Sequence, residues 1–80
     1  MNLSEMRAEM HKAIAEVAAR KLGRKLADNE RAGLEAVNSL MMLEYICDEY
    51  AHEGFSSEQV ADSLAFWAKD LAQKSANNKI

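Results

Sequence analysis

The sequence predicts an all-α protein: three antiparallel helices in one domain spanning residues 1–80, completed as a bundle by homodimerisation. Three observations carry this reading. Proline is absent and alanine recurs along the chain. Ala loses no side-chain entropy in a helix and Pro removes a ladder hydrogen bond, so both facts favour helix. Helix start and stop residues punctuate the chain, and no segment alternates apolar and polar residues with the period of a strand.

The first helix is expected over residues 3–22. Ser4 is a candidate N-cap, because its hydroxyl can accept from an orphan amide of the first turn. Glu5 suits the positive end of the dipole, and Arg20 and Lys21 suit the negative end. Gly23 offers a left-handed terminating residue. Met6, Met10, Ala13, Ile14 and Val17 form an apolar stripe, with Ala8, Ala15, Ala19 and Leu22 as a small-residue strip behind it. "GRKLA" is a short connector with Leu26 pointing inward.

Asp28 or Asn29 caps the second helix, expected over 28–53 and stopped by Gly54. Its central run, "SLMMLEYICDEYAHEGF", is too apolar for one side of a helix. Leu34, Val37, Met41 and Tyr45 lie on one side; Leu40, Leu43, Cys47 and Tyr50 lie on the other. Such a helix must be covered twice. Three helices have few residues to do so, and this favours a homodimer with Leu40, Leu43, Cys47 and Tyr50 at the contact, or the opposite face.

The third helix has the strongest start signal. In "FSSEQV", Ser56 and Gln59 have capping-box spacing, and Phe55 and Val60 are placed to form a hydrophobic staple. The helix is expected over 56–75, followed by a polar tail at 76–80. Val60, Leu64, Trp67 and Leu71 make its stripe, with Trp67 expected to be mostly buried.

Composition excludes several classes. A chain of 80 residues buries only ~60–65% of its unfolded surface, which makes self-association a natural expectation. The single Cys47 rules out a disulfide scaffold and behaves as a small hydrophobe. "MNLSEMRAEM" has no apolar signal region, and no run reaches the ~18 apolar residues of a membrane span, so a cytoplasmic protein without membrane contact is expected. The net charge of −3 argues against direct nucleic-acid binding, which rests on clustered cations. "SSEQVADSLAFWAKDL" invites a helix-turn-helix comparison, but no basic recognition helix follows it.

The candidate chemistry is sparse. Glu44, Asp48, Glu49 and Glu53 gather where the helix dipole disfavours carboxylates, at ~0.3–1 kcal/mol each. One reading is a solvated face; the functional reading is a patch that meets a partner with a basic surface, steered by charge. That partner could be the same protein, through Arg20, Lys21, Arg24 and Lys25. Phe66 falls among Asp62, Asp70 and Gln73, as an aromatic anchor in a polar surround. "EYAH" gives Glu49 and His52 the Glu-x-x-His spacing of di-iron carboxylate bundles, yet the ligand set is incomplete. No nucleophilic triad, phosphate loop or dinucleotide fingerprint is visible. The expectation is a non-enzymatic protein–protein interaction module without cofactor or metal: a small acidic helical inhibitor or adaptor, of the kind phages and mobile elements also carry, occupying a surface of a larger partner. The alternative is a ferritin-like metal-binding carboxylate bundle that uses Glu49 and His52 across a dimer.

Overall fold

A computed structural model describes residues 2–77. All regular structure among these residues is helical, but there are four helices where three were expected: α1 (Leu3–Leu22), α2 (Asp28–Glu35), α3 (Leu40–Ala51) and α4 (Ser57–Asn77). The second expected helix is broken between Glu35 and Leu40. Residues 76 and 77, assigned to the polar tail, continue α4, and the remainder of that tail lies outside the described residues.

The break has a local cause. Ser39 adopts an extended conformation, and its Oγ accepts from the Met42 N–H at 3.3 Å. A serine that caps the next helix cannot also continue the previous one. The Val37 carbonyl leaves the helical ladder and meets His11 Nε2 of α1 at 2.9 Å. Since a carbonyl only accepts, the ring donates from Nε2.

Other termini follow simple chemistry. Asn2, rather than Ser4, caps α1 by accepting the Glu5 N–H at 2.9 Å. Gly23 ends α1 at φ 72°, in the left-handed region. Ala27 precedes α2, so neither Asp28 nor Asn29 is the cap. Glu30 instead reaches back to the Ala27 N–H at 2.8 Å and receives a two-pronged bond from Arg24, at 2.8 and 3.1 Å. At α4 the expected reciprocal box forms: Ser56 Oγ accepts from the Gln59 N–H, and Gln59 Oε1 accepts from the Ser56 N–H.

Packing divides the molecule into two principal pairs, α1 with α3 and α2 with α4. Ile14 and Ala18 of α1 meet Leu43, Ile46 and Tyr50 of α3 in a common core with Leu26, Leu34, Val37, Val60 and Leu64. Tyr50 joins the halves: its ring is fully buried and stacks on Phe55 at 5.8 Å, and its hydroxyl donates to Ser63 Oγ of α4 at 2.8 Å. Burial pushes the Tyr50 phenol above its ordinary pKa. Between α2 and α4 the approach is one of backbone. A methyl group at Gly33 would lie 2.6–2.7 Å from main-chain atoms of Trp67 and Ala68. Trp67 lies beside this contact with most of its surface covered, as its mid-stripe position suggested.

The break also revises the case for a dimer built on a two-sided helix. Leu43 and Tyr50 are wholly enclosed by the chain's own core, so they offer no surface to a second copy. Leu40 and Cys47 are half-buried. On the opposite face, Leu34 and Val37 are buried while Met41 and Tyr45 stand open.

Candidate functional site: an apolar track with acidic banks

The core takes one side of α3 and leaves the other bare. Leu43, Ile46 and Tyr50, at helical spacing, face inward. Met41 and Tyr45, one turn apart, are 81% and 61% exposed, and Met42 is 40% exposed. Single exposed apolar residues are ordinary, whereas contiguous ones need a reason.

These side chains belong to one continuous surface. Met41, Met42 and Tyr45 line a shallow depression of about 310 Å³ with Ser39. Tyr45 continues into a second, of about 400 Å³, bordered by Asp48, Glu49, His52 and Phe55. Met42 leads the other way, into a groove where it faces Trp67 and Leu71 of α4. Trp67 in turn carries Phe66, 59% exposed, edge-on at 5.0 Å between ring centres. The apolar track therefore runs from Phe66 over Met42 and Tyr45 to Phe55.

Carboxylates bank this track. Glu44, Asp48 and Glu53 are exposed and Glu49 is half-exposed. Asp48 and Glu49 line the track itself, and the Glu49 carboxylate one turn on raises the pKa of the Tyr45 phenol. The C-terminal end of α3, where these acids sit unfavourably, is compensated from α1. Lys21 Nζ donates to the carbonyls of His52 and Phe55. The ammonium sits at the turn that follows the negative end of α3. Lys21 and Arg24 are thus occupied within the chain, which removes two of the four cations considered as a self-complementary surface.

Glu49 and His52 border the same depression, but they do not lie on one continuous helix. α3 ends at Ala51, with His52 in an extended conformation. Its Nδ1 accepts from the Gly54 N–H at 3.0 Å. Among the described residues no group of three or more His, Cys, Asp or Glu side chains is placed to hold a metal ion. No helix among the described residues is long and apolar enough to cross a membrane.

A larger depression, about 580 Å³, lies elsewhere, between α1 and α2. Ala15, Ala19, Leu26 and Leu34 line it together with Lys12, Lys25 and Arg31 and the carboxylates of Glu16 and Glu35. Its size reflects the small side chains of the alanine strip, and its mixed lining selects no charge. The sequence placed Glu44, Asp48, Glu53 and Phe66 at the surface, and they are exposed. It placed Met41 and Tyr45 on a covered face, and the signal that distinguishes them, the Ser39 cap, is weak by itself.

No protein-family model, curated protein or solved structure shows a significant match to this chain.

Proposed function

We propose that the protein is a non-enzymatic interaction module that binds a larger protein partner through the α3 face, with Met41, Met42 and Tyr45 as apolar contacts and Glu44, Asp48, Glu49 and Glu53 as the charged border. The observation that carries this reading is the contiguous exposure of Met41, Met42 and Tyr45 on a helix whose other side is fully enclosed. Anchors of this kind, desolvated by a partner, supply most of an interface's energy, while the rim sets register and encounter rate. Phe66, at the far end of the track, extends the contact onto α4. Inhibitor and adaptor roles both consist of such occupancy.

The test is comparative capture. Wild type and the double variant Met41→Ser/Tyr45→Ser are immobilised and exposed to an extract of cells that express the protein. Both substitutions lie on exposed positions, so circular dichroism and melting should be unchanged within ~0.5 kcal/mol. A protein retained by wild type and lost from the variant is expected. Identical retention by both would remove the α3 face from the function.

A further inference from the structure

The charge along α3 is one-sided; the groove beside Met42 also holds Lys74, which is paired with Asp70. No Lys or Arg occurs between Ala32 and Ala68, while Glu35, Glu44, Asp48, Glu49, Glu53, Glu58 and Asp62 all fall there. The ion pairs among the described residues, Arg24–Glu30 and Lys74–Asp70, involve none of the α3 carboxylates. Lys21 spends its donors on main-chain carbonyls. Among the described residues these four carboxylates therefore have no ion-pair partner, and Asp48 and Glu49 border an apolar surface rich in flexible methionine.

We infer that the occupant of this track is a basic amphipathic helix of another protein. Its apolar residues, at i, i+3 or i+4, and i+7, would lie over Met41, Met42 and Tyr45, and its Lys and Arg side chains would face Glu44, Asp48, Glu49 and Glu53. The inference rests on the proposed function and specifies the partner's chemistry. A helix fits because it satisfies its own backbone, whereas an extended segment would bring unpaired amides against apolar side chains, and an all-helical surface offers no strand edge to pair them. Unbranched Met side chains adapt to varied apolar anchors. α3 has 12 residues and so offers about 18 Å of track, matched by a partner helix of three to four turns.

A second copy of this chain fits less well. A two-fold contact through α3 would bring together two helices that carry acids and no cations. The cation-bearing α1 has its apolar side in the core, at Ile14 and Ala18.

The experiment measures fluorescence anisotropy of labelled peptides of about 16 residues, a length that covers α3, against the whole chain. One peptide places Leu at helical spacing with Lys elsewhere. A second replaces every Lys with Glu. A third has the composition of the first in an order without helical periodicity. The first should bind most tightly, by about tenfold or more over the others. Its affinity should fall by a similar factor in Met41→Ser/Tyr45→Ser, in Asp48→Asn/Glu49→Gln, and on raising salt. Equal binding of the aperiodic peptide, preference for the Glu peptide, or indifference to either double variant would overturn the inference. Light scattering on the same samples gives a further check: concentration-dependent association lost in Met41→Ser/Tyr45→Ser would assign the track to a second copy instead. If partner capture depends on Met41 and Tyr45 but the Lys peptide fails to bind, the partner class is wrong and the interaction face stands.

Discussion

α2 is the polar helix and α3 the apolar one, yet α2 makes the closer contact with its neighbour. α2 reads "DNERAGLE", and it buries Glu30, Gly33 and Leu34. Gly33 lets its backbone approach that of α4 to within the space a single methyl would fill. α3 reads "LMMLEYICDEYA", buries Leu43, Ile46 and Tyr50, and leaves Met41 and Tyr45 largely in water. Apolar content thus does not measure how tightly a helix is held. α2 is held by shape and by an ion pair at its start. α3 has more apolar surface than one side of the core can take, and the excess is the candidate interaction face.

The largest expected effect separates the two sides of α3. Leu43→Ala deletes buried methyl groups and should cost ~2–5 kcal/mol, a large part of the stability of a small domain. Met41→Ala, two residues earlier, should change stability by no more than ~0.5 kcal/mol. Urea melts of both variants give the comparison directly. Similar losses would mean that α3 is rotated from the orientation described.

Next comes the backbone approach of α2. Gly33→Ala gains ~1 kcal/mol of helix propensity, but the new Cβ would meet main-chain atoms of Trp67 and Ala68 that cannot rotate away. Overpacking of this kind costs ~1–3 kcal/mol, so a net loss is expected. A stabilised Gly33→Ala would show that α2 and α4 stand further apart.

Much of this architecture was legible in the chain itself. α1 and α4 have strong local signals, Gly23 at one end and the Ser56–Gln59 box at the other, and both act over a few residues. The division of residues 28–53 into two helices was harder to read. It depends on Ser39 acting as a cap and on His11, 26 residues away, taking the Val37 carbonyl. No Gly or Pro marks the site, and the apolar periodicity continues across it. Once the helix is assumed continuous, Leu43 and Tyr50 become candidates for a dimer contact, because sequence does not say which of two apolar faces the chain itself covers. Glu44, Asp48 and Glu53 were legible as exposed for a simple reason: acids without a neighbouring cation stay in solvent.

A smaller effect tests how the end of α3 is held. Lys21→Met keeps the apolar stem of the side chain and removes the ammonium from the His52 and Phe55 carbonyls. A loss of ~1 kcal/mol is expected from the charge-assisted bonds and the dipole. Arg20→Met, an exposed neighbour, should be neutral within ~0.5 kcal/mol. Equal melting of the two variants would leave the acidic end of α3 uncompensated.

The smallest effect at neutral pH belongs to the start of α2, and its interest lies in its pH dependence. Glu30 is almost enclosed, with 9% of its surface exposed. The hydrogen bond from Arg24 is the main cause that lowers its pKa, against the opposing cost of burial; the Ala27 amide adds to the lowering. A carboxylate whose folded pKa lies below its unfolded value binds protons more readily when unfolded. Its stabilisation is complete above the unfolded value, about 4.3, and is lost as pH falls through the lower folded value. Glu30→Gln retains an acceptor for the Ala27 amide and removes the titration. Wild type should therefore be the more stable of the two from neutral pH down to the ordinary carboxylate range, and the gap should close as the solution is acidified further. Thermal melts of both proteins from pH 7 downward measure the gap. A gap that stays constant into acid would mean that the Glu30 charge contributes nothing, and that α2 is held by Gly33 and Leu34 alone.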